Sequence, residues 1–325
     1  MGIKKLKMLS RTAENLYWTA RYIERADSIA RLLEVAYRIH LIPNTSEGYL
    51  NEWESILSAA GIKESYLNNY KEISKNKIEY FLLFDPNNSS SVKACIENAR
   101  NNLKMVRTAV TLEVWNTVNT WYHEIDKYDT EKYDTKNLPM TLDWIKKQVN
   151  LIKGTINNTQ LINDGFDFIY LGIFYERADF TARIIDVKYY ILLPSSSYVG
   201  TQVDNFQWSI MLRSVSAYRG FKWAYGNSQI DYTKIIDFLI LSELCPRSIF
   251  YALDKIQHHL GRLTKFYKSD NKAHRNIKAI HKGLIDSSAD EIIEFGLHEF
   301  LTKFIDDMST TYSDLEEVYF LGIDK

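Results

Sequence analysis

Cysteine, proline and glycine are all scarce in this chain, and each scarcity removes a class of protein. Two cysteines, Cys95 and Cys245, in 325 residues cannot form a disulfide framework, which fits a reducing compartment. Five prolines and 13 glycines leave few interruptions for helices, so a mostly helical chain is expected. Net charge is nearly absent at −1, without the basic excess of a dedicated nucleic-acid binder. No apolar run reaches membrane-spanning length. The opening MGIKKLKMLSRTAENLYW is basic but has no apolar stretch behind it, so it does not read as a secretory signal. Leu6 stands where a myristoylation signal needs Ser or Thr. There is no Gly-rich phosphate loop and no Glu-x-x-His pair of the di-iron bundle type. His258 and His259 are adjacent, and helical neighbours point about 100° apart, so they do not share one ion. These absences predict a cytoplasmic protein with no metal, cofactor, nucleic acid or membrane among its partners.

What is present is a repeat. YIERADSIARLLEV begins at Tyr22 and FYERADFTARIIDV at Phe174, an offset of 152 residues. Each stretch lies in a long helical pattern, about 10–40 with Ser10 as its cap, and about 163–193. Pro43 and Pro194 close the two patterns. Each copy continues with a Trp-led segment (WESILSAAG from Trp53, WSIMLRSVSAY from Trp208). A short apolar run, a Pro-containing turn and a Ser in helix-cap position follow, Ser91 in one copy and Ser248 in the other. The expectation is an all-α fold of two similar helical-bundle halves, an internal duplication packed about a pseudo-twofold axis. Residues 1–127 would form the first repeat and 128–138 a charged linker. Residues 139–325 would form a connecting helix, MTLDWIKKQVNLIKGTIN, and the second repeat.

Helical spacing puts Glu24, Asp27, Arg31 and Glu34 on one stripe, opposite Tyr22, Ala26, Ile29 and Leu33. The second copy repeats the stripe as Glu176, Asp179, Arg183 and Asp186. One reading is a solvated face laced with i,i+4 pairs, each worth a few tenths of a kcal/mol. The other two are a buried charge network between the long helices and a polar pocket built from both copies. Ser28 drifted to Phe180 and Ile29 to Thr181 while Glu, Arg, Ala, Asp and Arg stayed, and a buried network gives a physical reason for such retention.

A second polar helix is expected from Ala99 to Asn119, carrying Arg100, Lys104 and Arg107 on one face with Glu113 and Asn119 beyond. It reads as a basic surface ridge or as a cradle for a carboxylate, for which arginine forks are suited. The basic and aromatic residues of YRGFKWAYG read as a turn with core aromatics, and Cys245 as a structural thiol.

Leu9-Ser10-Arg11 with AENLYW, then RYIERAD, DPNNSSSV, an AR-x-N-x4-R-x5-E-x-W-x3-N pattern, YERAD and CPRSI occur in that order. The set, spanning roughly residues 8 to 315, resembles the bacterial alpha-E domain family. That resemblance places the family's Glu-Arg positions on Glu24, Arg25, Glu176 and Arg177. Its second-helix pattern falls on Arg100, Arg107, Glu113, Trp115 and Asn119. The chain departs from the family at Asn101, where Glu is common, and at Lys104, where Arg is common.

The resemblance further implies a setting beside circularly permuted ATP-grasp proteins and transglutaminase-like peptidase homologues. The expected function is then an accessory or substrate-presenting protein for an ATP-grasp amide or peptide ligase, with a peptide or carboxylate ligand. The alternatives are an enzyme acting on a peptide or amino-acid derivative through inward-facing Glu and Arg, or a purely structural interaction protein. The polar pocket or ion network is expected from Glu24, Arg25, Asp27, Arg31, Glu176, Arg177, Asp179 and Arg183, with Arg100, Arg107, Glu113 and Asn119, and no catalytic residue is assigned.

Overall fold

The computed structural model describes residues 7–42, 52–128, 137–190, 201–226, 230–268 and 271–321. All regular structure among them is helical. The long α1 (Ser10–His40) is followed by α2 (Glu52–Ala59), α3 (Lys63–Asn69), α4 (Lys75–Leu83), α5 (Val92–Met105) and α6 (Leu112–Ile125). Helix α7 (Leu138–Thr159) leads into the second long helix, α8 (Asp164–Tyr190). Then come α9 (Gln202–Ser214), α10 (Tyr218–Tyr225), α11 (Tyr232–Ile236) and α12 (Ile249–Tyr267). The chain closes with α13 (Lys272–Ile285), α14 (Ala289–Phe295) and α15 (Leu297–Leu315). Single π-helical turns at 237–241 and 316–321 extend α11 and α15.

The helix ends have local causes. Ser91 and Ser248 cap α5 and α12 as expected, each hydroxyl accepting the backbone N–H three residues on. Ser288 and Glu291 form a reciprocal capping box on α14. Ser10 does not cap α1: it is the first helical residue, and Leu9 holds the cap position without a side-chain bond. Tertiary bonds fix this entry instead, the Met8 N–H donating to Asp164 Oδ2 at 3.1 Å. The expected end of α8 at Leu193, the loops that precede the two Trp-led helices, and most of the charged linker lie outside the described residues.

The helix expected from Ala99 to Asn119 is two helices. It stops at Met105, passes through a 3-10 turn at Arg107–Ala109, and restarts at Leu112 behind a Thr111 cap. Gln160, beyond the end of α7, holds the break open. Its side chain accepts from Thr111 N–H at 3.3 Å and donates to the Ala109 carbonyl at 2.9 Å. A tertiary clamp and β-branched residues thus override the helical propensity of the segment. YRGFKWAYG is a helix, α10, with Phe221 buried and Trp223 on the surface.

Helices α1 and α8 form the centre of the molecule and touch along much of their length. They approach most closely where Gly172 faces Tyr17 and Ala20: a Cβ on Gly172 would lie 2.2 Å from the Tyr17 carbonyl oxygen. Only a glycine permits that contact between backbones. Around this pair the packing runs in parallel. Helices α5 and α7 lie on α1, with α6 against both, while α12 and α15 lie on α8, with α13 against both. The Trp-led helices cross over, α2 packing on α8 and α9 on α1. Tyr17 adds an aromatic clasp, stacking on Tyr312 of α15 at 5.7 Å and meeting Phe320 at 5.5 Å.

The central position of α1 overturns its expected apolar and charged faces. From Ile23 to Ala36 every residue but Arg25 is buried, and the buried set includes Glu24, Asp27, Arg31 and Glu34. The charged stripe is therefore interior.

Candidate functional site

The two Glu-Arg pairs exchange partners across the α1–α8 interface. Arg25 donates to both oxygens of Glu176, at 2.6 and 3.0 Å. Arg177 donates to both oxygens of Glu24, at 2.9 and 3.4 Å. Each arginine thus serves the other helix's glutamate in a two-pronged fork, the geometry guanidinium and carboxylate share. Adjacent residues on a helix point about 100° apart, so Glu and Arg of one pair cannot clamp each other. Two such helices facing each other can.

Asp27 and Asp179 sit one turn further along, each held by the arginine four residues on. Arg31 Nε reaches Asp27 at 2.8 Å, and Arg183 Nε reaches Asp179 at 2.7 Å. Those arginines then reach across to the Trp-led helices. Arg31 Nη1 donates to the Ser214 carbonyl at the end of α9, and Arg183 Nη1 to the Ala59 carbonyl at the end of α2. Both helices end in the same way, through a positive-φ residue, Ser216 (φ 59°) or Gly61 (φ 70°). The next N–H bonds back in each case, Ala217 to Leu212 and Ile62 to Leu57. The turn leaves a last-turn carbonyl for a guanidinium at the negative end of the helix dipole.

Three further cations complete the network, and helical spacing within the repeat did not reveal them. Lys153 of α7 contacts Glu24. Arg247, in the turn before α12, donates to Glu24 at 3.2 Å and Asp27 at 2.7 Å. Arg21 donates to Glu176 at 2.8 Å and lies among the rings of Tyr17, Trp18 and Tyr312. The signal for Arg247 was in CPRSI, whose arginine precedes a capping Ser that has only Ser90 before it in the other copy.

Burial pushes the Glu24 carboxyl up, but Arg177, Lys153 and Arg247 more than reverse this and hold it at about 2. Burial likewise pushes the Glu176 carboxyl up, and Arg25 and Arg21 more than reverse this and hold it at about 2. Asp27 is held far below the usual carboxylate range, Arg247 and Arg31 outweighing its burial. Lys153 is brought down to about 8, because burial, Arg177 and Arg247 outweigh the attraction of the two carboxylates.

The remaining predicted residues are elsewhere. Arg100 Nε donates to Asn119 at 2.8 Å and its guanidinium lies 4.3 Å from the Tyr122 ring. Arg107 lies 4.6 Å from the Trp115 ring. Glu113 is exposed. Because the helix breaks between Arg100 and Arg107, the two form a stacked ladder with Trp115 and Tyr122, and among the described residues neither pairs with Glu24 or Glu176. The arginines that fork onto the two glutamates are Arg177 and Arg25, while Arg31 and Arg183 bind the aspartates. His259 is held by Asp167 at 2.7 Å. Cys95 is buried, which pushes its thiol up to about 12.

A family model described as Alpha-E, "a predicted alpha-helical domain with a conserved ER motif", matches residues 8–320. That is nearly the whole chain, which therefore belongs to the Alpha-E family. No curated protein and no solved structure matches it. Among the described residues no helix is long and apolar enough to cross a membrane.

Proposed function

We propose that this protein is an accessory, substrate-presenting helical partner of an ATP-grasp amide or peptide ligase, and performs no bond-making step itself. The observation that carries this reading is the saturation of both Glu-Arg motifs by each other. A general acid or base needs a pKa near the working pH and a proton within reach. Glu24 and Glu176, held at about 2, are ionised near neutrality and clamped by guanidinium groups that do not deprotonate. Their chemistry suits a rigid frame that fixes the helices around it. The same reading takes the two halves as copies of one duplicated unit, supported by the parallel order of their contacts.

One observation favours the enzymatic alternative: Lys153, at about 8, is a buried amine near its working range. Co-purification with the neighbouring ATP-grasp protein, followed by ATP turnover with and without this chain, separates the two. An accessory protein raises partner turnover and is inert alone towards ATP and amides. Turnover by the isolated chain, lost in Lys153→Met, would establish the enzyme instead. An ATP-grasp protein that neither binds the chain nor responds to it would sink the accessory reading.

A further inference from the structure

The two ionic sites differ at one matching place. Ser91 and Ser248 cap the helices that follow two similar turns, and the residue before the cap is Ser90 in one and Arg247 in the other. Arg247 covers Glu24 and Asp27. Ser90 instead lines a cavity of about 160 Å³ between the halves, walled by Arg25, Glu176, Asp179 and Arg183. Asp27 receives two guanidinium groups, from Arg31 and Arg247. Asp179 hydrogen-bonds to Arg183 alone among the described residues. Its side chain is 23% exposed where that of Asp27 is 0%. The open site is the closed one without its plug.

We propose that this cavity binds a guanidinium or primary-ammonium group on a short alkyl chain, seated on Asp179 and Glu176 as Arg247 is seated on Asp27 and Glu24. The protein supplies the template for its own ligand. Charge permits it: the closed site holds Arg31, Arg177, Arg247 and Lys153 against two carboxylates in a more buried place. The open site has Arg21, Arg25 and Arg183 against two, so one added cation brings it to a balance the fold already tolerates. An anion finds less to bind. Arg183 spends all three nitrogens on Asp179 and the Ala59 carbonyl, and Arg25 spends two on Glu176. Ile29 and Leu32 provide apolar wall for the ligand's methylenes. The volume is below the roughly 300–1,000 Å³ that encloses a drug-sized ligand, so the guest is about one side chain in size.

This inference does not rest on the ligase reading, since its probes need no partner protein. Binding to the full chain would be followed by ligand-observed NMR and calorimetry. The probes are N-acetylarginine methylamide as a peptide-borne side chain, agmatine as a free small molecule, and N-acetylglutamate methylamide. Wild type is expected to bind the guanidinium probes and not the glutamate probe. Tighter binding of the blocked arginine assigns the site to a peptide or protein side chain, and tighter binding of agmatine to a small molecule. Ser90→Arg fills the site from within, and Asp179→Asn removes its charge. Each should weaken binding by at least about tenfold, the worth of one charge-assisted contact. Ser90→Leu, which fills the space without charge, gives the same loss if Ser90→Arg does not fold. No saturable guanidinium binding, unchanged affinity in the filled variants, or preference for the glutamate probe overturns the proposal.

Discussion

The Glu24 site is sealed and the Glu176 site is open, although Glu-Arg-Ala-Asp-x-x-Ala-Arg builds both. In the sealed site Asp27 and Arg31 are 0% and 4% exposed at their side chains, while Asp179 and Arg183 are 23% and 28% exposed. The motif itself supplies the clamp: a glutamate for the opposite arginine, and an aspartate that aims its i+4 arginine at the end of a Trp-led helix. The sites differ at the residue preceding the Ser cap in the neighbouring turn, Arg247 at the sealed one and Ser90 at the open one. Both copies of the motif join α1 to α8, and only the one at Glu176 leaves room beside the joint.

Removing the glutamates gives the largest contrast. Glu24→Ala strands Arg177, Lys153 and Arg247 in a fully buried place, and should cost about 3–5 kcal/mol. Glu176→Ala strands Arg25 and Arg21 but should cost less, about 2 kcal/mol, because Arg25 is already 24% exposed beside a cavity into which it can turn and Arg21 keeps the rings of Tyr17, Trp18 and Tyr312. Urea midpoints at constant m measure both. Equal costs, or a larger cost at Glu176, would break the distinction between sealed and open.

Acid is next. Both glutamates have folded values near 2 against an ordinary value of 4.5. A carboxyl depressed by folding stabilises the native state fully above its unfolded value. That contribution disappears as pH falls from about 4.5 through about 2, and amounts to about 3 kcal/mol for each group. Stability measured across this window should decline, and Glu24→Gln and Glu176→Gln should each flatten the slope. A wild-type slope that neither variant changes would place the titrating groups elsewhere.

The fold was legible from little more than the scarcity of Pro and Gly, two long periodic stretches and the Ser caps. Retention of Glu, Arg, Ala, Asp and Arg beside Ser28 and Phe180 pointed to burial, which is found for Glu24, Asp27, Arg31 and Glu176, while Asp179 and Arg183 are partly exposed. The partners were not legible. A periodic pattern fixes which residues share a face but not which face of another helix it meets, so Arg25–Glu176 and Arg177–Glu24 emerge only when α1 and α8 are laid together. Arg100 and Arg107 were misplaced for a related reason: a clamp from Gln160, far away in sequence, breaks their helix.

The crossing of α1 and α8 can be tested where it is tightest. Gly172→Ala puts a methyl 2.2 Å from the Tyr17 carbonyl oxygen, and the helices must part to admit it. A loss of about 1–3 kcal/mol is expected, against a gain of up to about 1 kcal/mol from helix propensity if there were space. Because separation of the helices loosens both forks, it should also expose Glu24. A stabilised Gly172→Ala would mean that the close approach does not exist in solution.

The smallest effect concerns the two turns. Ser91→Ala and Ser248→Ala each remove the hydroxyl that accepts the N–H of Ala94 or Tyr251. Both serines are completely buried, so water cannot replace the lost acceptor. Each substitution should lower stability by about 1 kcal/mol, within the usual range for a lost cap. Similar costs would mean that the turns are alike in construction and differ, for the ionic sites, in the side chain just before the cap. A full loss at Ser248 with none at Ser91 would mean that the turn beside the cavity is held by other contacts. The contrast between plug and pocket would then belong to the whole turn, and not to Ser90 and Arg247.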